Sequence, residues 1–201
     1  MKSKNQVRSL EDAFLFLGAK NQKVPLTIER MLKVFSGKAR DLLILMLSIP
    51  FSTPLQLPAL STPFGILIGI IGIRMLIGRQ QVWLPERFLN KTISTSILKK
   101  VSKSGVKVSK FLKKFSRIRI VVVIKHPVFK MVNAILITIL GILLAQPLPI
   151  PFTNMTSAWS LIFLAFGLVE DDGLFVLLGY LASVFTFIFF IEVGVFFARV
   201  V

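Results

Sequence analysis

The sequence predicts an all-α integral membrane protein with two tandem Pro-broken, re-entrant-like helical hairpins, amphipathic surface helices and a C-terminal transmembrane helix. Three observations predict this fold. Of the 201 residues, 54% are hydrophobic and only 17% are charged, whereas soluble domains carry about 25% charged residues. The apolar residues lie in blocks separated by basic stretches, which is typical of membrane segments rather than of a soluble core. Two of these blocks also repeat each other.

The internal repeat relates two apolar segments, 42–77 and 135–169, which are each broken by prolines. One ungapped alignment that places Pro54 on Pro147 matches the two breaks and the helices around them. Broken membrane helices appear in sequence as paired, Pro-interrupted segments in corresponding halves. A membrane tolerates irregular backbone only where it is buried in protein or lines water. The repeat therefore predicts that the two breaks are functional.

Both arms of the first segment are too short to cross a bilayer. The first arm, 42–49, spans roughly 12 Å as a helix and the return arm, 64–77, roughly 21 Å, whereas the hydrocarbon core is about 30 Å thick. We therefore expect a re-entrant hairpin that enters and leaves on the cytoplasmic face. Thr62 followed by Pro63 predicts the N-cap and first position of the return helix.

The second segment has a longer first arm, 128–145, and its return arm ends at Val169, before the acidic turn 170–173. The apolar run 174–198 that follows is long enough to span a membrane. If both copies are hairpins, the acidic turn is cytoplasmic and the C-terminus is outside. If the second copy crosses instead, both assignments reverse, and the sequence leaves this open.

The breaks carry polar side chains that form a candidate polar centre. One interpretation is that these side chains only satisfy backbone groups left unpaired by the prolines. The other is that the two tips meet and form a polar site or pathway. The candidates are Thr53, Gln56, Ser61, Thr62, Gln146, Thr153, Asn154 and Thr156.

The net charge of +16 is concentrated in two basic blocks, 1–40 and 74–130, which the positive-inside rule places in the cytoplasm. Within the second block, 88–118 has the pattern of a basic amphipathic helix. We expect it to contact anionic lipid headgroups rather than nucleic acid, because no nucleic-acid recognition module accompanies the lysines. The lysines that we expect at the membrane surface are Lys99, Lys100, Lys103, Lys107, Lys110, Lys113 and Lys114.

Three charged residues near membrane depth are further candidates. Arg74 either extends its long stem to the cytoplasmic interface or pairs with Asp41. Glu192, in an aromatic-rich apolar run, either reaches the interface near a helix end or has a function within the membrane. Asp172, in the acidic turn, either caps the next helix or helps to bind a cation.

Residues for catalysis or metal binding are scarce in this sequence. The chain has no cysteine and one histidine, His126, which excludes disulfides and thiolate metal sites and makes a transition-metal site unexpected. His126 precedes Pro127, and this pair predicts a helix start. Neither a nucleophile with its base nor a phosphate-cradling glycine loop is present. We therefore expect no catalytic residue, no cofactor, no metal and no enzymatic activity.

The blocks divide the chain into five predicted regions. They are 1–40, a basic amphipathic N-terminal region; 41–79, the first broken hairpin; 80–127, a basic amphipathic cytoplasmic linker; 128–170, the second broken hairpin; and 171–201, the C-terminal transmembrane helix.

The chain carries punctuated motifs such as Gly78-Arg79, Trp83-Leu84-Pro85 and Asp172-Gly173. Together with the others given below, they resemble the bacterial ExoD family, which is associated with exopolysaccharide synthesis. The resemblance covers nearly the whole chain, and 57–85 and 147–179 carry most of it. Two positions depart from the family pattern, which usually has glutamine near Arg74 and often a basic residue at Asp171. The motifs are Leu10-Glu11-Asp12, Gly78-Arg79, Trp83-Leu84-Pro85, the Pro147-Leu148-Pro149 break with Asn154, and Asp172-Gly173.

The resemblance implies a multi-pass protein of the bacterial inner membrane that is needed for normal exopolysaccharide production, and it supplies no catalytic residues. With the duplicated break, it leads us to expect a transporter or channel-like protein for an ion, lipid carrier or small anionic metabolite. The alternative is a non-transporting scaffold or accessory factor for envelope polysaccharide synthesis. The expected partners are the lipid bilayer and, in addition, a second copy of the chain or polysaccharide-synthesis proteins.

Overall fold

The computed structural model describes residues 38–53, 58–78, 122–146 and 152–200, with isolated positions at 103, 106, 110, 114, 120 and 150. Within these ranges the chain forms helices and turns, with no strand. The chain divides into two compact units, one of Met1–Ala39 with Gln81–Arg117 and the other of Arg40–Gln80 with Ile118–Val201.

The first unit contains the basic linker. Lys103, Val106, Lys110 and Lys114 are helical, and the three lysines are exposed. The remaining predicted surface lysines, 99, 100, 107 and 113, and the predicted N-terminal surface helices lie outside the described residues.

The second unit is a bundle of helices. Its helices are α1 Ala39–Ser48, a 3-10 turn Ile49–Phe51, α2 Pro58–Leu76, α3 Val122–Lys125, α4 Pro127–Ala145, α5 Thr153–Glu170 and α6 Gly173–Val200.

Local sequence signals explain two helix starts and one helix end. His126 is the N-cap of α4 and accepts a hydrogen bond from the backbone N–H of Val128, with Pro127 in the first turn, so the predicted start is confirmed. Asp172 accepts the N–H of Leu174 at 3.1 Å and so caps α6. After α2, Gly78 adopts φ 74°, a conformation that glycine adopts without a Cβ clash.

The predicted start of α2 was wrong. The helix begins at Pro58, and Pro63 lies inside it. Pro58 already provides the fixed φ that favours a first turn, and the missing N–H of Pro63 costs the helix one backbone hydrogen bond. With 19 residues, α2 is about 28 Å long. The argument from length for a re-entrant first hairpin therefore rests on the 10-residue α1 alone.

Small residues let α2 and α4 pack antiparallel with their backbones in close contact. A Cβ built on Gly65 would lie 2.7 Å from the Cα of Ala145, and one built on Gly141 would lie 2.6 Å from the backbone N of Gly69. These distances are far below an ordinary contact. Small residues at helical spacing are typical of interfaces between membrane helices.

Helix α5 packs against α6 and also contacts α4, so it is the central helix of the unit. The C-terminal half of α5 lies very close to α6. A Cβ on Gly167 of α5 would lie 2.7 Å from the backbone N of Val176, and a Cβ on Gly179 of α6 would lie 2.9 Å from the backbone N of Leu164. Ala158, Leu161 and Ala165 of α5 are fully buried. The outer faces of α4 and α6 are apolar and exposed, with Met131, Ile135, Ile139 and Ile142 on α4 and Leu181, Phe185, Ile188 and Ile191 on α6.

Two described helices are long and apolar enough to cross a membrane. They are Pro127–Ala145, with a mean hydropathy of 2.3, and Gly173–Arg199, with a mean hydropathy of 2.5. At 19 and 27 residues, they extend about 28 Å and 40 Å, against a hydrocarbon core of about 30 Å.

Candidate functional site

The first break contacts the second copy of the repeat through α5. The indole Nε1 of Trp159 donates a hydrogen bond to the carbonyl of Ser52 at 3.1 Å. Phe51, which is buried, packs edge-on against Phe64 with ring centroids 5.6 Å apart. The 3-10 turn is therefore held between α2 and the first turns of α5.

The second break ends at the N-terminus of α5, where no side chain caps the helix. The N-cap residue is Phe152, which has φ 71° and makes no side-chain cap hydrogen bond. The hydroxyls nearby donate to carbonyls: Thr153 to Ile150 at 2.9 Å, and Thr156 and Ser157 both to Thr153. These hydroxyls satisfy backbone acceptors, and no described side chain caps the first backbone N–H groups of α5.

Asn154 differs from its neighbours. Its side chain is 5% exposed, and its Oδ1 is buried with no hydrogen-bond partner among the described residues. Since buried acceptors are almost always paired, an unpaired one is a feature to explain.

The buried face of α5 stays polar beyond Asn154. Ser157 and Ser160 are fully buried, and the Ser160 hydroxyl lies 3.0 Å from that of Thr186 on α6. One turn before Thr186, Ser183 donates to the carbonyl of Gly179 at 2.6 Å. The start of α5 thus presents a polar strip to the interior, which we call the α5 polar face and define as Thr153, Asn154, Ser157 and Ser160.

The other predicted members of the polar centre lie in varied surroundings. Ser61 is buried, Thr62 is half-buried, and Thr53 and Gln146 are exposed. Gln146 is the C-cap of α4, and its backbone N–H donates to Leu143. Gln56 lies outside the described residues. Of the eight candidates, the structure brings three together at the start of α5: Thr153, Asn154 and Thr156.

The charged candidates do not form the pairs that the sequence suggested. Asp41 pairs with Arg40, with Nε and Oδ1 2.9 Å apart, rather than with Arg74. Arg74 is half-buried, and its Nε has no hydrogen-bond partner among the described residues. Glu192 is exposed, and Asp172 is buried at the start of α6.

A buried polar link was missed by the sequence reasoning. The Tyr180 hydroxyl donates to Asn133 Oδ1 at 2.8 Å, and Asn133 Nδ2 donates to the carbonyl of Val123 at 3.3 Å. The link ties α6 to α4 and α3. A signal was present, since Asn133 and Tyr180 are isolated polar residues in apolar runs and such residues usually find partners.

Within the described ranges, no three acidic or histidine side chains lie together as a metal site would require. The polar groups that the structure gathers are hydroxyls, one amide and uncapped backbone N–H groups. Such a set can bind and orient a polar molecule by hydrogen bonds.

The fold and this site define a class of protein: an all-helical bundle with two helices able to cross a membrane and polar side chains at the breaks between helices. The family model described as "Exopolysaccharide synthesis, ExoD" matches residues 10–192. The chain therefore belongs to the ExoD family, as its motifs predicted.

Two relatives support this assignment. An uncharacterized protein of Synechocystis sp. is 34% identical over 157 residues, covering 78% of this chain and 73% of the relative. Protein ExoD of Rhizobium meliloti is 29% identical over 188 residues, covering 93% of this chain and 78% of the relative. No solved structure gives a significant match.

Proposed function

We propose that this ExoD-family protein is a multi-pass protein of the bacterial inner membrane that supports exopolysaccharide synthesis by moving a polar solute across the bilayer. The solute would pass a polar centre formed by the α5 polar face beside the two Pro-rich breaks. The proposal includes no chemical step.

The observation that carries the proposal is the contrast between the inner and outer faces of the bundle. The outer faces of α4 and α6 expose large apolar side chains, such as Ile142 and Leu181, as surfaces that meet lipid do. The α5 polar face is buried between them. Polar side chains at membrane depth are costly unless they are paired, and they often mark substrate pathways. The Oδ1 of Asn154 has no hydrogen-bond partner among the described residues. This side chain is therefore not explained by a role in pairing backbone groups.

Solute flux in proteoliposomes tests the transport proposal. Osmotic shrinkage would be followed by light scattering with glucose, glucose 1-phosphate, potassium phosphate and potassium chloride as solutes. We expect flux of at least one solute, and a several-fold loss in Asn154→Ala and in Ser61→Ala. The matched control is Leu181→Ala on the exposed face of α6, which should keep full flux. Unchanged flux in both polar variants would reject the polar centre as the pathway, and no flux in the wild type would reject transport.

Cysteine accessibility tests the membrane topology, because the chain contains no native cysteine. Single cysteines would be labelled with a membrane-impermeant maleimide, from the outside in intact spheroplasts and from the cytoplasmic side in inverted membrane vesicles. Two re-entrant hairpins predict a cytoplasmic label in the acidic turn and an external label at the C-terminus. An external label in the acidic turn would reject the second hairpin. The four positions are 56, 149, 171 and 201.

The accessory role is the second candidate, and the exposed lysines of the first unit favour it. Lys103, Lys110 and Lys114 are helical and exposed, and on one continuous helix their spacings of seven and four residues would put them on a single face. Such a face suits anionic lipid headgroups or an acidic partner among the polysaccharide-synthesis proteins.

Exopolysaccharide yield in a deletion strain separates the two functions. If the protein is a scaffold, replacing the seven predicted surface lysines by Gln should abolish yield, while Asn154→Ala should have no effect. If it is a transporter, the opposite pattern should appear.

A further inference from the structure

Among the residues that the structure describes, the first backbone amides of α5 have no hydrogen-bond acceptor. The first amide bonded within the helix is that of Thr156, which donates to the carbonyl of Phe152 at 2.9 Å. The amides of residues 153–155 therefore precede the intrahelical ladder. Phe152 offers no side-chain oxygen, and the hydroxyls of Thr153 and Thr156 donate elsewhere. An 18-residue helix adds the positive end of its dipole at this point, which favours an anion.

Asn154 adds an independent observation that points to a ligand. It is the second residue of α5, and side chains in a helix tilt toward its N-terminus, so the amide lies over the uncapped turn. Its Oδ1 is an acceptor with no donor among the described residues. A bare anion would satisfy the backbone amides but would leave Oδ1 unpaired. The ligand must bring a hydrogen-bond donor as well as negative oxygens.

We infer that the start of α5 binds a phosphate ester that also carries a hydroxyl group. The phosphate oxygens accept from the amides of residues 153–155, and the hydroxyl donates to Asn154 Oδ1. This inference rests on the proposed function, since it names the solute class of the polar centre, but binding can be measured apart from flux. Two sources share this chemistry: a soluble sugar phosphate and a lipid headgroup such as that of phosphatidylglycerol.

Calorimetric titration of the full chain in neutral detergent tests the inference. The probes are glucose 1-phosphate, sulfate as an anion without a hydrogen-bond donor, and glucose. We expect glucose 1-phosphate to bind at least about 10-fold more tightly than either of the other two, a difference that titration resolves readily. Competition by nanodiscs of phosphatidylglycerol, but not of phosphatidylcholine, would assign the site to a lipid headgroup, and no competition would assign it to a soluble ester.

Two substitutions at one position separate binding from folding. Asn154→Asp places a carboxylate at the uncapped amides, where it suits the helix and repels an anionic ligand, so affinity should fall at least about 10-fold while thermal unfolding stays near that of the wild type. Asn154→Ala should lose the preference for glucose 1-phosphate over sulfate. The control is Leu181→Ala on the exposed face of α6, which should bind normally.

Each result bears on one proposal or the other. No saturable binding to the wild type, or unchanged affinity in Asn154→Asp, would overturn the site. Equal affinity for sulfate and glucose 1-phosphate would overturn the role of the hydroxyl. Binding that depends on Asn154 without flux in proteoliposomes would support the site and reject transport.

Discussion

Replacing Gly72 by Ala should weaken the contact between α2 and α4. The added Cβ would lie 2.7 Å from the backbone N of Thr138 and 2.9 Å from its Cα, against 3.4 Å or more in an ordinary contact. Because the obstacle is backbone, the two helices must separate by roughly 0.5 Å or more over several residues. Overpacking of this kind lowers the free energy of unfolding by about 1–3 kcal/mol.

The matched control lies three residues earlier on the same helix. A Cβ on Gly69 would meet nothing closer than the Thr138 carbonyl oxygen at 3.8 Å. Gly69→Ala should therefore be neutral or stabilising by up to about 1 kcal/mol, because Ala is the better helix former. The same chemical change is thus expected to have opposite signs at two neighbouring glycines.

Reversible unfolding by sodium dodecyl sulfate in mixed micelles, followed by far-ultraviolet circular dichroism, measures both variants. Gly65→Ala, which would contact the backbone of Ala145, should resemble Gly72→Ala. Equal stability of Gly72→Ala and Gly69→Ala, or a larger loss in Gly69→Ala, would refute backbone-to-backbone packing of α2 on α4.

Three further outcomes are expected. Tyr180→Phe should lower the free energy of unfolding by about 1–2 kcal/mol in the same assay, because it leaves Asn133 Oδ1 buried without a donor. The double variant with Asn133→Leu should recover much of this loss. Asp172→Ala should lower the free energy of unfolding by about 1 kcal/mol because α6 loses its cap, and Asp172→Asn should leave it nearly unchanged. Equal losses in the two variants would show that the cap hydrogen bond is unimportant. Trp159→Phe removes the bond to Ser52, so hydrogen exchange at residues 49–53 should rise several-fold and remain unchanged at the far end of α5.

The signals that sequence reasoning interpreted correctly are local ones. A histidine before Pro127 and an aspartate at 172 each act within two or three residues, so their roles as helix caps follow from the residues themselves. The apolar run of α6 is equally local. Thr62 with Pro63 also looked local, but an earlier proline, Pro58, was available to start the helix.

The features that the sequence reasoning did not foresee join distant residues. The bond from Trp159 to the Ser52 carbonyl connects positions 107 residues apart, and no pattern near either residue specifies the other. The glycines at 65, 69 and 72 were a usable signal, since their spacings of four and three residues place them on one helix face. For Asn154 the residue type suggested a polar role, but only burial distinguishes it from the serines and threonines beside it.

The glycine contacts between α5 and α6 close one end of the proposed pathway. At Gly167 and Gly179 the two helices lie backbone to backbone, with no room for a solvated lumen. Toward Ser160 and Thr186, by contrast, they meet through hydroxyls. If the protein transports a molecule bound near Asn154, release on the opposite side would require α5 and α6 to part at the two glycines. Such a protein would work by alternating access and would not be a permanently open pore.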